Sequence, residues 1–242
     1  MPMEKGSLVL VDYTAKVKDT NEVFETTREE EAKKTDLYDP TRKYEPRLIT
    51  IGEGLVLKGL EEALGNASVG DKLDVEIPPE KGFGPRDNGK VRMIPQRKLG
   101  DKADEVQVGD TVEMEDRKGI VRYIGSGRIQ VDFNHRFAGK TLLYNVNIVK
   151  KLETENEKIT GLVKKWLPLD DSKVKFTLKG SEVEIEVPEE LVQMDGLQVA
   201  KSLISRDVFK AISTVKNLKF VENYAAPKAE VKKEDKPAET KA

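Results

Sequence analysis

Apolar and polar residues alternate along "GSLVLVDYTAKV" (6–17), a run rich in Val, Leu and Tyr that predicts an early strand. "VFETT" (23–27) reads as the end of a second strand. The next stretch, "REEEAKKTDLYDPTRKYEPRL", is heavily charged and carries Pro40 and Pro46. Its first part predicts a short helix with Asp36 as a cap, and the remainder a long surface excursion. "ITIGEGLVLKGLEEALGNASVGD" predicts a short strand, then a helix of roughly three turns ending at Gly65 as C-cap. "KLDVEIPP" is a strand that stops at its proline pair.

From residue 86 the texture changes. "VRMIPQRKL", "VQVGDTVEME", "GIVRYIGSG" and "RIQVDF" are short strands separated by glycine-containing turns, as in a small all-β unit. "TLLYNVNIVKKL" then returns to alternation and is suited to pair with the first strands, so the second unit is inserted into the first through a loop. In "NEKITGLVKKWLPL", Ile159, Leu162, Val163, Trp166 and Leu167 fall on one helical face, with Trp166 as a core anchor. "KVKFTL" and "EVEIEV" form a hairpin turning at Lys179 and Gly180. A helix interrupted near Gly196 and a last strand, "NLKFVENY", complete an α+β arrangement. The final 18 residues, 225–242, are charged and Pro/Ala-rich with almost nothing to bury, which predicts disorder.

Composition narrows the function. The 242 residues suffice for one to three domains, and with 36% charged against 37% hydrophobic they form densely solvated faces. Net charge is −2, so no global basic field recruits nucleic acid or anionic lipid. The absence of cysteine excludes disulfides, thiolate catalysis and cysteine metal sites. No apolar run approaches the ~20 residues of a membrane span, and the N-terminus lacks a signal-peptide pattern. A cytoplasmic protein is expected, and the Lys/Glu-rich, cysteine-free composition leans towards a thermophile.

The sole histidine, His135, lies in the turn "FNHRFAG", where holding the turn by a hydrogen bond is favoured over catalysis or metal binding. No EF-hand spacing is present, so no metal and no cofactor is expected. "EIPPEKGFGPRDNGK" (76–90) superficially resembles a phosphate loop, but Gly82 and Gly84 are followed by a third glycine only at 89, and Pro85 removes a backbone N–H that a phosphate cradle would use. Glu61 and Glu62, paired carboxylates on the predicted helix, read as solvated.

Taken in order, "VDYTAKV", "VFETT", "IGEGLVLKGLEEAL", "VGDKLDVEIPPEKGFGP" and "NHRFAGKTLLYNVNIVKKLE" resemble an FKBP-type peptidyl-prolyl cis-trans isomerase. The insertion before "NHRFAGKTL" resembles the insert-in-flap domain of long, SlyD-like members, and the C-terminal addition resembles the larger archaeal ones. The resemblance implies an α+β fold, a curved antiparallel sheet over a short helix, with an inserted all-β domain and a C-terminal α+β domain. The implied boundaries are 1–85 with 134–153 for the catalytic domain, 86–133 for the insert, and 155–224 for the C-terminal domain. It implies a proline cup of Tyr13, Phe24, Glu25, Val56, Leu57, Leu60, Phe83 and Tyr144, with Phe137 at its rim. Three departures stand out: Leu60 replaces a frequent Trp, Phe83 a frequent Tyr, and Glu25 a frequent Asp. The main chain at Leu57 is implied to hold a substrate carbonyl. In SlyD-like relatives the insert binds unfolded segments; here Met93, Leu99, Tyr123 and Ile124 are candidates for that surface, while Ile94 is expected in the insert's own core.

The expected function is X-Pro isomerisation during folding, with chaperone activity from the insert. Expected partners are unfolded polypeptides containing X-Pro, not nucleic acid or membrane, with self-association or client holding assigned to the C-terminal domain. The sequence leaves two other readings open. One is a non-catalytic holdase, its cup degenerate through Leu60 and Phe83. The other is an RNA- or ribosome-associated β-barrel, suggested by "VGDTVEMEDRKGIVRYIGSGRIQVDF" and opposed by the missing basic stripe.

Overall fold

A computed structural model describes residues 3–103, 105–114 and 117–224; the charged tail expected at 225–242 lies outside the described residues. The chain divides into two compact units, Met1–Gly161 and Leu162–Ala242.

In the first unit, strand β1 (Leu8–Val17) organises a five-stranded antiparallel sheet. Strand β9 (Leu142–Leu152) runs along one side of it, while β3 (Arg47–Thr50) and β2 (Val23–Thr26) share the other. Strand β4 (Lys72–Ile77) pairs with the free side of β9. The two-residue period buries Val9, Val11, Tyr13, Ala15 and Val17 on one face and leaves Asp12, Thr14 and Lys16 on the other. The register then lines up cross-strand rows, among them Ala15–Tyr144–Val75 and Val17–Leu142–Ile77.

Helix α2 (Lys58–Gly65) covers this face with Leu60 and Leu64. It approaches so closely that a Cβ on Gly59 would lie 2.9 Å from Ile77 Cγ2. At eight residues it makes about two turns, not the three expected. It starts only after Leu57, because Gly52 and Gly54 hold positive φ in the preceding loop. Gly65 is the last helical residue, and Asn66, still right-handed, takes the cap position expected of it. Helix α1 (Glu29–Lys33) is preceded by Arg28, so Asp36 lies beyond its end and caps nothing at its start. Glu61 is not simply solvated: its Oε1 accepts the amides of Gly52 at 3.0 Å and Gly54 at 2.9 Å, tying the loop to the helix, and Glu62 pairs with Lys81.

Between β4 and β9 the chain forms a separate four-stranded antiparallel sheet, ordered β5 (Val91–Pro95), β8 (Arg128–Asp132), β7 (Arg117–Gly125) and β6 (Thr111–Met114). Ile94, Val121, Ile129 and Val131 fill its core. Gly119 is required there, since a Cβ would fall 2.5 Å from Val131 Cγ1 and 2.8 Å from Phe133 Cδ1.

Helix α3 (Glu155–Trp166) opens on a reciprocal box: Glu157 Oε2 accepts the amides of Glu153 and Thr154, and Thr154 Oγ1 accepts that of Glu157. In the second unit, β10 (Lys175–Lys179) and β11 (Glu182–Val187) form the expected hairpin, with Gly180 at φ +59°. Strand β12 (Asn217–Glu222) pairs parallel to β11, and α4 (Leu197–Ala211) supplies the crossover this requires. Trp166 is only partly buried; its Nε1 donates to Asp207 at 2.9 Å, so it combines packing with a polar tether. Among the described residues no helix is long and apolar enough to cross a membrane.

Candidate active site

Tyr13, Leu60, Phe137 and Tyr144 are buried in one cluster, against which Phe24, Val56, Leu57 and Phe83 pack partly exposed. All of the expected cup residues except the charged Glu25 therefore meet in one apolar assembly on the helix-facing side of the sheet. Strands position Tyr13 and Tyr144, and small Ala15 beside Tyr144 leaves room for the rings. Phe24 contacts Tyr144 edge-on, with centroids 6.2 Å apart, and Phe137 at 4.3 Å. Phe137 was expected at the rim. It is 8% exposed and joins Phe24 to Phe83, whose centroid lies 5.5 Å away, so it is a hub of the aromatic wall.

Phe83 is delivered by a short turn. Pro79–Lys81 form a single 3-10 turn, and the Pro79 carbonyl accepts the amides of Gly82 and Gly84 at 3.0 and 2.8 Å. Gly84 holds φ +81°, a conformation that disfavours any residue with a Cβ. Its carbonyl accepts the Gly139 amide at 2.8 Å, fastening this loop to the one carrying Phe137. His135 holds its turn as expected, Nδ1 accepting the Phe137 amide at 3.3 Å. It also does something not expected: its ring stacks on Phe83 at 4.2 Å and 13°.

One edge of the cup is polar. The Tyr13 hydroxyl donates to Glu25 Oε1 at 2.7 Å, and Arg47 Nη1 donates to both, at 3.0 and 2.9 Å. Burial and then the Glu25 charge push the Tyr13 hydroxyl up to about 12, so it stays protonated at any working pH. The same two causes push Tyr144 up as well. Arg47 was not anticipated. The only signal for it was that Glu25, placed among aromatic residues, needs a counter-charge.

The backbone supplies a further donor. Leu57 precedes the first turn of α2, and no hydrogen bond occupies its amide among the described residues.

The residues expected on a second surface divide between two faces of the four-stranded sheet. Met93 and Tyr123 flank Gln130 on its outer face, 50% and 53% exposed. Leu99 and Ile124 instead pack against the core around Ile94, which is buried as expected. The opposite face of the five-stranded sheet carries a groove lined by Thr14, Arg28, Asp74, Glu76 and Asn145. Its charges are paired internally, Arg28 to Asn145, Asn145 to Asp74 and Lys18 to Glu76, and it offers no comparable site.

Residues 2–149 match the family described as FKBP-type peptidyl-prolyl cis-trans isomerase. The chain belongs to that family. It is a peptidyl-prolyl cis-trans isomerase of FKBP type, and residues 155–225 match a second family, described as FKBP26_C-terminal. It is similar to the short-type peptidyl-prolyl cis-trans isomerase of Methanocaldococcus jannaschii, 34% identical over 64% of this chain and 98% of the relative. It also resembles the FKBP-type 16 kDa isomerase of Escherichia coli, 27% identical over 61% of this chain and 93% of the relative. A third relative is the SlyD of Helicobacter pylori, 28% identical over 52% of this chain and 69% of the relative.

Proposed function

We propose that the FKBP sheet, residues 1–85 with 134–153, takes the proline ring of an X-Pro segment between Tyr13, Phe24, Val56, Leu60, Phe83 and Tyr144. The observation that carries this is the convergence of those side chains in one partly open apolar cluster with a polar edge at Tyr13, Glu25 and Arg47. Amide resonance sets the isomerisation barrier at about 18–20 kcal/mol. Twisting the C–N bond removes that resonance and part of the carbonyl's charge separation. An apolar wall therefore favours the twisted form over the planar, better-solvated one, with no proton carrier needed. The Leu57 amide holds a substrate carbonyl while the rings fix the proline.

The sheet between β4 and β9 acts as an insert that holds unfolded chain. Its exposed Met93 and Tyr123 and its unpaired edge strands β5 and β6 suit an extended peptide adding as a strand. Tethering raises the local concentration of proline segments at the cup. Pairing of two copies through the C-terminal unit is a separate expectation, tested by sedimentation of the full chain.

Proline-limited refolding of a model protein tests the first part. Phe83→Ala should abolish most acceleration while suppression of aggregation persists, and Met93→Ser with Tyr123→Ser should do the reverse. Failure of the folded wild-type chain to accelerate refolding would refute placement of the reaction in this cup. Equal loss of both activities in each variant would refute two separate sites.

A further inference from the structure

Phe83 brings no hydroxyl to the wall of the cup, but Tyr144 places one inside it. Tyr144 lies in the row Ala15–Tyr144–Val75 on the cup face, with its ring centroid 5.7 Å from that of Tyr13 and 6.2 Å from that of Phe24. The residue is only 5% exposed, yet among the described residues its hydroxyl has no hydrogen-bond partner. No side-chain nitrogen or oxygen sealed from solvent lacks a partner among those residues, so the Tyr144 hydroxyl is not sealed and reaches solvent. Its electrostatic neighbours are Glu25, Tyr13 and Arg47, which puts it at the polar edge of the cup.

The contrast with Tyr13 is informative. The Tyr13 hydroxyl is committed to Glu25 and Arg47, both within 3.0 Å. The Tyr144 hydroxyl has no such internal commitment and reaches solvent, so a substrate carbonyl entering the cup can take its hydrogen bond in place of water.

We propose that the Tyr144 hydroxyl is a substrate-contacting donor: it hydrogen-bonds one of the two backbone carbonyls flanking the substrate proline nitrogen, the Leu57 amide taking the other. This rests on the placement of the proline in the cup. Burial and the neighbouring Glu25 charge keep the hydroxyl protonated, so it donates throughout the working pH range. Donors at both ends of the imide bond let the apolar wall twist the peptide between fixed points, while Glu25 is held off the substrate by Tyr13 and Arg47.

Tyr144→Phe removes only that oxygen. The test measures, in the full chain, isomerase kcat/KM on a short X-Pro peptide, the peptide Kd by NMR titration, and the urea midpoint. One lost hydrogen bond predicts a fall in kcat/KM of roughly 3–10-fold. The peptide Kd should rise by a comparable factor and the urea midpoint should hold, since no internal partner is lost. Tyr13→Phe should instead lower the midpoint. If the wild type turns over the peptide and Tyr144→Phe matches it within twofold, the Tyr144 role is overturned while the cup survives. A drop in midpoint that parallels the drop in activity also overturns it, because the oxygen would then be structural. A folded wild type without activity overturns both the cup and the Tyr144 contact.

Discussion

Asp132→Ala should destabilise the first unit by more than a surface substitution would. Asp132 ends β8 and is 3% exposed. Its carboxylate accepts the Asn134 amide at 3.0 Å, Asn134 Nδ2 at 2.8 Å and Arg86 Nη2 at 2.5 Å, with Arg122 Nε at 3.6 Å. Asn134 in turn exchanges hydrogen bonds with the Asp87 backbone, so one carboxylate joins the strand leaving the cup loop to the strand returning to it. Arg86 and Arg122 are 46% and 44% exposed, and on truncation both return to water without a stranded buried charge. The half-exposed Arg86 pair is therefore worth at most about 1 kcal/mol. The two Asn134 bonds into a buried carboxylate carry more, about 1.5 kcal/mol each at the low end for charged acceptors. The expected loss is about 3–4 kcal/mol, read as a lower urea midpoint at unchanged slope. Burial alone would raise the Asp132 carboxyl, but the Asn134 bonds and the two arginines outweigh it and hold it below its ordinary value. A depressed folded value means the contribution is complete above about pH 4 and is lost as pH falls below it. The gap between wild type and Asp132→Asn, which keeps an acceptor but has no charge to titrate, should thus close at acid pH. A change under 0.5 kcal/mol for Asp132→Ala, or a gap independent of pH, would refute the reasoning.

Gly119→Ala should cost about 1–3 kcal/mol by overpacking against buried Val131 and against Phe133, measured by equilibrium denaturation; an unchanged midpoint would show that the sheet relaxes freely. The Lys150 ammonium and then the Glu153 and Thr154 amides push Glu157 down to about 2, so its carboxylate supports the start of α3 above the unfolded value and ceases to as pH falls towards 2. Carbon-13 titration of its side chain checks this, and a midpoint near 4 would contradict the box. His135→Ala removes the ring stacked on Phe83 and should reduce isomerase activity more than stability, the stack being worth about 0.5–1.5 kcal/mol. Equal activity of wild type and variant in proline-limited refolding would show that Phe83 needs no such support.

Local periodicity made the sheet readable. Alternation in β1 and in the first part of β9 sets which residues face α2, while the grouping of Tyr13 with Tyr144 in one cup comes from the family resemblance and not from periodicity. Where a feature depends on two loops meeting, alternation carries no information. The Phe83–His135 stack and the central place of Phe137 both arise from the Gly139–Gly84 hydrogen bond, which joins segments on either side of the four-stranded sheet. Arg47 was hidden for the same reason: it reaches Glu25 only because β2 and β3 share one side of β1. The box at α3 was a different kind of omission. "TENE" at 154–157 carries the Thr-x-x-Glu signature in plain sequence, directly ahead of the apolar stripe of α3.

The same distinction explains the division of the expected client surface. Met93, Leu99, Tyr123 and Ile124 were grouped as apolar residues in one insert, but pairing of Met93 and Tyr123 with Gln130 puts them on one face and pairing of Ile94, Ile129 and Ile124 puts those on the other. A one-residue step along a strand reverses the face, and the bulge between Val121 and Tyr123 makes that step. Were Arg122 paired in regular register instead, Tyr123 would share its face with Val121 and turn into the core. Arg122 is thus the extra residue. Deleting it would make Tyr123 the direct neighbour of Val121, still opposite Gln130 and on the outer face, so the ring should stay exposed and client binding and the isomerase cup should both persist; burial of the ring in that variant would refute this register.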